Sequence, residues 1–599
     1  MAEQGVSVTC EGGLDLVGTT HTLFRTPGVA TKLENYESSI HGGYRRINGF
    51  SKFGSSTPDT TSTNVEGIFR YAKGVVACQG SNIYYSADGN TWTQVNKDTY
   101  QNKTGTVSVS AGSPTVTGSG TSFTTEFSVG DDIKINNEIF NVLSISSNTS
   151  LTTDGNFAAT ASSQNIKKNG ADASQLASGS TIARTSQSDC KFALYEGESQ
   201  YGELFIVDGN NQPAYLRIDI ASGTHTFFFK EVQRSAPEKS KFATIFAERL
   251  VVAGDADNPQ VLSYSTRLKP EDFTGSSAGT IDVGDKIKQI KPFRNKLIVF
   301  CESSIFQVSG LDGTAAVSGV TKNIGCVSGN TVQEIGGDLI FLAPDGLRTI
   351  AGTARIDDIE LSSISRKILP VFRDEVMPFL SSIRFASMVV REKSQYRLFY
   401  FRSGVANNIQ GGVIGTFKIS STGAGVYEWS TTKGIPAKIA HSGVDENGSE
   451  VLYHSDESGF VFNHDTGNSF DSSNIVATYK SPDLDYGDAG IRKTLYYIKT
   501  SIRSEGTNNN LKLLTRYDFE SGDVTQPAEI ALGALQTPAK FGSGSTFGTT
   551  IFGGTLFPQQ KTTLTGSGFT NNFRVRSTGT GSPYTVSGFY VDFIPAGRT

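Results

Sequence analysis

The residues best suited to chemistry are few and scattered. The chain carries six histidines in 599 residues, and only His454 and His464 lie near carboxylates, in YHSDESGFVFNHD with Asp456 and Asp465. Imidazole and carboxylate together could hold a transition metal. The spacing matches no compact ligand set, however, and the turn-rich surroundings read as polar residues on the surface of a hairpin. No G-x-S-x-G elbow, HExxH helix or Walker sequence is present. VDGNNQ at Val207 and APDG at Ala343 place carboxylates beside turns. They lack the alternating oxygen ligands of a calcium loop, and Asp, Asn and Gly are the residues a tight turn needs anyway. Asp357-Asp358, and Glu271 next to Asp272, could serve as the acid and base of a glycosidase. With 58 acidic residues such neighbours arise by chance. No catalytic residue, cofactor site or metal site is assigned, and the chain is expected not to be an enzyme.

Two other residue sets could engage a ligand. The cations Lys322, Arg348, Arg355, Arg366 and Lys367 could line a path for nucleic acid, or be solvated charge or subunit contacts. Tyr84, Tyr85 and Trp92 could stack on sugars, or pack inside a sheet. The cysteines (Cys10, Cys78, Cys190, Cys301 and Cys326) are odd in number, with no CxxC pair. Cys78 in GVVACQG and Cys301 in LIVFCES read as buried free thiols, matching maturation in a reducing cytoplasm. The formal charge of -5 leaves no basic excess for wrapping nucleic acid tightly. It would suit a channel that DNA merely passes through. No signal-peptide pattern opens the sequence, and no apolar run reaches 18 residues.

The elements that must position these residues read as strands. Charged residues make up 19% and glycines number 65, so the polar mass is Ser, Thr, Asn and Gly, a composition that favours strands and turns. Glu66–Val95 parses into GIFRY, GVVACQG, NIYYSA and TWTQV, with turns at AKG, GS and DGN. The same grammar returns from Phe192, Phe242, Ile287, Asn330 and Ser387, and from Lys438 to Asp465. Each unit carries a strongly apolar middle strand between two amphipathic ones. Such a sheet cannot stand alone, and radial stacking of about six or seven of them predicts a β-propeller. Residues 1–65 form an N-terminal arm packing on the propeller and 66–100 the first blade. The stretch at 101–160 reads as an inserted small β-barrel, with an Asn-Asn turn at NNEIF. The remaining blades occupy 161–472. A β-rich, sandwich-like domain at 473–599 ends the chain and is a candidate for closing the propeller. Only Leu361–Phe385 reads as helix, broken at Pro370. The fold class is therefore all-β.

The arm, GGLDLVGTTHTLFRTPGVATKLENYESSIHGGYRRINGFSKF, lacks the GxxxxGK[ST] sequence and preceding apolar strand of a P-loop. Its glycines read as turns between short extended pieces. Its leucines and valines suffice to clamp it along a body, with Arg45 and Arg46 facing either a partner or passing DNA.

Three stretches resemble a known family. The arm segments GGLDL, RTPGVATKLENYE and GGYRRINGF resemble the N-terminal signature of short-tailed bacteriophage tail nozzle or DNA-stabilisation (tail hub) β-propeller proteins. VTKNIGCVSGNTVQEIGGDLIFLAPDGLRTIAG, followed by the tract ELSSISRKI, resembles a blade of that family. GTVSVSAGSPTVTGSGTSFTTEFSVGDDIKI resembles a module inserted in many phage tail proteins. The resemblance spans roughly Gly12 to Ile368. It implies a structural virion protein, assembled in the host cytoplasm as a homo-oligomeric, usually hexameric, ring at the distal tail. The ring would bind the tail adaptor proteins and, by extension, tail fibres or spikes. It would retain packaged phage DNA through non-specific contact and release it on ejection, close to the host cell envelope. On that view Arg45, Arg46, Lys322 and Arg348 are the candidates for channel or subunit contacts. The rivals are a receptor- or glycan-binding tail-tip propeller and a polysaccharide-degrading enzyme. The inserted barrel and the end domain depart from a minimal nozzle.

Overall fold

A computed structural model of the chain describes residues 4–60, 64–98, 100–169, 181–197, 199–232, 237–311, 315–350, 363–402, 409–419, 425–506, 510–533 and 559–596. The protein is all-β, with about half of its residues in strands and a six-bladed β-propeller arrangement. Its sheets fall into two compact units, residues 54–325 and residues 1–53 with 326–599.

The first unit holds four antiparallel meanders of four strands each. Their first strands are Val65–Tyr71, Lys191–Tyr195, Phe242–Phe246 and Ile287–Phe293. Their inner strands show why the apolar runs are continuous. In Glu203–Val207, Leu204 and Ile206 enter the core shared with the first meander, while Phe205 and Val207 enter the core shared with the third. In Arg249–Ala253, Leu250 and Val252 face back to the second meander, and Val251 and Ala253 face on to the fourth. A strand buried on both faces has no polar side to alternate with. Tyr84 and Tyr85 are buried in the first meander, and the Trp92 indole donates to the Ser56 carbonyl at 3.2 Å. The three aromatics therefore serve the blade.

The insertion after the first meander is an eight-stranded sheet running from Tyr100–Asn102 to Lys167–Asn169, nine residues past the expected boundary. It has its own core of Val107, Val116, Phe123, Phe127, Ile133, Phe140, Leu151 and Ile166, among others. The hairpin closing Ile135 on Glu138 uses Asn136 and Asn137, both at positive φ (48° and 65°). This is the I′-type turn that asparagine tolerates.

In the second unit, a three-stranded sheet (Gln333–Ile335, Asp338–Ala343, Gly346–Thr349) precedes the meander Arg384–Val390, Gln395–Arg402, Ile409–Ile419 and Gly425–Lys433. Next come Ile439–Val444, Glu450–Ser455 and Val461–His464, whose fourth strand is Phe50–Lys52 from the arm. The arm thus completes this blade, and the C-terminal strands go elsewhere. Lys32–Glu34 pairs in parallel with Gly425–Lys433 and antiparallel with Ile475–Lys480, extending the preceding meander into a nine-stranded sheet. A seven-stranded sheet built on Arg492–Ser504 and Tyr584–Ala596 recruits Gln4–Thr9, Tyr36–Ser38 and Tyr44–Arg46. The two sheets share one core, where Tyr479 and Phe573 each stack on Phe589 with centroids 5.8 Å apart. This is sandwich packing, interleaved with the arm at every layer.

The expected helix at 361–385 is shorter and irregular, helical over 366–379, with residues 361 and 362 outside the described ones. Arg366–Ile368 is one 3-10 turn, Val371–Val376 a π-type turn and Met377–Phe379 another 3-10 turn, with strand already at Arg384. Pro370 and Pro378 cannot donate to an α-helical ladder. Ile368, Val371, Phe372 and Val376 still bury their side chains in the sandwich core.

Candidate functional site: a buried ionic clamp on the arm

The chemistry-bearing residues that converge belong to the second unit and surround the arm. Glu37 and Arg45 are cross-strand partners in the hairpin Tyr36–Ser38/Tyr44–Arg46. Arg397 reaches them from Gln395–Arg402. Its guanidinium donates to Glu37 Oε2 (2.9 Å), Asp465 Oδ1 (3.1 Å) and Gln395 Oε1 (2.8 Å). Lys393 bridges the same two carboxylates, at 2.9 Å to Glu37 Oε1 and 2.7 Å to Asp465 Oδ2. Arg45 lies 2.8 Å from Glu37 Oε1 and grips Glu505 with two parallel bonds of 2.6 Å. Three cations and three carboxylates therefore balance. Arg397 and Glu37 are 1% and 2% exposed, so the pairing takes place out of water.

The histidines complete the cluster, and they are interior rather than on a hairpin surface as the sequence suggested. His454 and His464 are both buried, with their Nδ1 atoms 3.3 Å apart, and Arg397 NH1 lies 3.0 Å from His464 Nε2. Arginine can only donate, so His464 Nε2 must accept. His464 then carries its proton on Nδ1 and donates it to His454 Nδ1, which leaves His454 protonated on Nε2. That nitrogen has no hydrogen-bond partner among the described residues. The His454 ring packs edge-on against Phe50 and stacks on Phe462, with centroids 4.7 and 5.1 Å away. Burial pushes the His454 imidazolium pKa down to about 3. Burial, His454, Arg397 and Lys393 hold His464 well below its ordinary value. Burial alone would raise the Asp465 carboxyl, but Arg397 and Lys393 outweigh it and hold it low. Asp456 turns away to cap the Ser458 amide at 2.8 Å. Among the described residues no group of three or more His, Cys, Asp or Glu side chains is arranged to hold a metal.

Close approach explains Gly13. Gly13 has φ +72°, and a Cβ there would come within 2.7 Å of the Trp429 amide nitrogen. The Gly13 N–H donates to the Tyr44 hydroxyl, which donates in turn to the Gly28 carbonyl. These contacts hold the arm's loops against the nine-stranded sheet.

The four cations singled out from sequence divide between the two units and differ in exposure. Arg45 is committed to Glu37 and Glu505, and Arg46 is fully buried beside the Gly579 and Asn468 carbonyls. Arg348, also fully buried, pairs its Nε with Asp345 at 2.9 Å. Arg46 and Arg348 do not face solvent as a channel lining would require, whereas Arg45 is partly exposed. Lys322 is exposed and belongs to the other unit. Arg366 is exposed, Lys367 reaches the Gly12 carbonyl, and Arg355, like Asp357 and Asp358, lies outside the described residues. Asp208 caps its own turn, as expected, and Asp272 caps the Thr274 amide. Glu37, Lys393 and Arg397 were not singled out. The available signal was Arg397 in the middle of the apolar strand QYRLFYFR, a position that must bury its charge with partners.

Neither a known family nor a curated protein matches the chain in sequence. Among solved structures, the extracellular domain of a hybrid two-component system of B. thetaiotaomicron is similar over 72% of this chain and 54% of its own. The identity is 11% and the TM-score 0.23. The chain thus spans about half the length of that structure. Kluyveromyces lactis Hsv2p is similar over 61% of this chain and 98% of its own, at 8% identity and a TM-score of 0.25.

Proposed function

We propose that this protein is a structural component of a short bacteriophage tail, one subunit of a nozzle or hub ring that retains packaged DNA and lets it pass on ejection. The arm's sequence signature carries the proposal, and the packing of that segment supports a mechanical role. KLENYE and GGYRRINGFSK supply strands to the nine-stranded sheet, to the seven-stranded sheet and to a blade, and the ionic clamp locks them from within. A blade completed by a strand from the arm ends in a short, three-residue edge, which suits a subunit that must bear load without recruiting foreign strands. Arg45 and Arg46 are engaged within the fold, so contact with DNA falls to other residues. The test is assembly. The full chain, alone and mixed with tail adaptor complexes, is imaged by negative-stain electron microscopy. Six-fold rings capping the adaptor support the proposal. A chain that stays monomeric and never decorates the adaptor overturns it.

A further inference from the structure

Two of the free cysteines meet inside the first unit, and neither the fold nor the clamp explains why. Cys78 stands on the strand Gly74–Gln79 of the first meander, directly opposite Gly67 on Val65–Tyr71. Cross-strand partners project to one face with their Cβ positions about 5 Å apart. Gly67 has no Cβ, and the place one would fill lies 2.6 Å from the Cβ of Cys190. Cys190 belongs to the segment entering the second meander, just before its first strand Lys191–Tyr195. The missing side chain at Gly67 therefore seats Cys190 beside Cys78, and both enter the core shared by the two meanders. Hydrogen bonds fix that seat. The Cys190 N–H donates to the Glu66 carbonyl at 2.7 Å, and the Gln187 N–H to the Gly80 carbonyl at 2.8 Å. The Gln187 side chain donates to the Asn82 carbonyl at 2.9 Å and accepts from the Cys190 thiol at 3.3 Å. Burial first, and hydrogen-bond contact with the Cys78 thiol second, push the Cys190 thiol well above its ordinary value. Cys190 is 4% exposed and Cys78 not at all.

We propose that Cys78 and Cys190 are a peroxide-oxidisable pair whose disulfide staples the first meander to the second across the inserted barrel. Hydrogen peroxide is small enough to reach Cys190, the member with some exposure. The Cys190 thiol loses its proton to solvent, its sulfur takes one peroxide oxygen, and the other oxygen leaves as hydroxide, giving a sulfenic acid. Cys78 Sγ then attacks the Cys190 sulfur. The S–S bond forms, and the sulfenic oxygen leaves as water with the Cys78 proton. Two thiols and one peroxide thus give one disulfide and two waters. The raised pKa keeps the first step slow, so the pair stays reduced in a reducing compartment and closes on long exposure to an oxidising one. The bond would close a loop of more than a hundred residues that holds the whole insertion. A cross-link restricts the unfolded chain most when its loop is long. The inference does not depend on the tail assignment.

The test is peptide mapping. The folded full chain is incubated with hydrogen peroxide, its remaining thiols are alkylated in denaturant, and its unreduced peptides are analysed by mass spectrometry. The expected result is a peptide pair joined through Cys78 and Cys190, released by dithiothreitol, with the same yield in Cys10→Ala. In Cys78→Ala the Cys190 sulfenic acid lacks a resolving thiol and should advance to the sulfinic acid. The oxidised parent should unfold at a urea midpoint about 1 M above that of the reduced parent, followed at Trp92. Four results would each overturn the proposal: both thiols intact in the treated parent, Cys190 carried to sulfinic acid there without a link, Cys190 linked to a different cysteine, or an oxidised midpoint no higher than the reduced one.

Discussion

Acid should unfold the second unit through its histidine pair before its carboxylates begin to titrate. In the folded state His464 Nε2 accepts from Arg397, and His454 is enclosed by Phe50 and Phe462, so neither ring can take a second proton in place. Unfolded histidine titrates near 6.5, whereas His454 is held at about 3 and His464 well below its ordinary value. Between those limits the unfolded chain binds more protons than the folded one. Stability is therefore full above pH 6.5 and falls as pH drops, by about 1.4 kcal/mol per pH unit per site. From pH 7 to pH 5 each ring removes about 2 kcal/mol, or about 4 kcal/mol for the pair. Asp465, held low by Arg397 and Lys393, adds its loss only below the usual carboxylate range. The assay is urea unfolding followed by the fluorescence of Trp429, which is buried in the second unit, in a Trp92→Phe background. The double variant His454→Leu/His464→Gln should flatten the dependence between pH 7 and pH 5. A parent protein equally stable at both pH values, or a double variant with the parent's slope, would refute the tautomer chain and the burial it rests on.

Other outcomes follow from single side chains. Arg397→Met leaves the buried Glu37 and Asp465 to share Lys393, with Arg45 on Glu37, and removes the donor to His464; the unbalanced charge should cost about 3 kcal/mol in the same urea assay. Arg267→Ala, which removes a pair with Glu248 that is more than half exposed on both sides, should cost no more than about 1 kcal/mol. Lys73→Gly should raise the melting temperature, since the turn holds Ala72 and Lys73 at φ 46° and 65° and a non-glycine residue there costs roughly 1 kcal/mol. Burial, with Glu271 nearby, pushes the Glu203 carboxyl up to about 7. The folded state thus holds a proton that the unfolded chain releases, and stability from this group is lost as pH rises through 7. Glu203→Gln should stabilise the first unit at pH 8 and not at pH 5, measured by unfolding followed at Trp92.

Much of the fold was legible because the meanders obey local rules. Continuous apolar middle strands such as LFIV and RLVVA, bounded by turn residues, report burial on both faces without reference to distant sequence. The inserted barrel announced itself through its Asn-Asn hairpin and Gly/Ser turns. What stayed hidden was long-range pairing. Nothing near FSK says that Phe50 will pair with His464, more than four hundred residues away, or that KLE will bridge a blade and a sandwich sheet. The same blindness misplaced the histidines. YHSDESGFVFNHD has the polarity of an exposed hairpin, and only the arrival of Phe50 and Arg397 makes its two imidazoles interior. Arg46 and Arg348 were misleading for a related reason, because a cation's sign is visible in sequence while its burial is decided by strands far along the chain.

The central claim is that the arm locks a subunit built for a load-bearing tail ring. Cryo-electron microscopy of tails assembled with the full chain tests it most directly. The account predicts a six-fold ring at the distal end of the tail, around an axial opening wide enough for duplex DNA, with the Gly12–Phe53 arm woven into each subunit's own sheets. A chain absent from the distal tail, or present there with its arm withdrawn from those sheets, would contradict it.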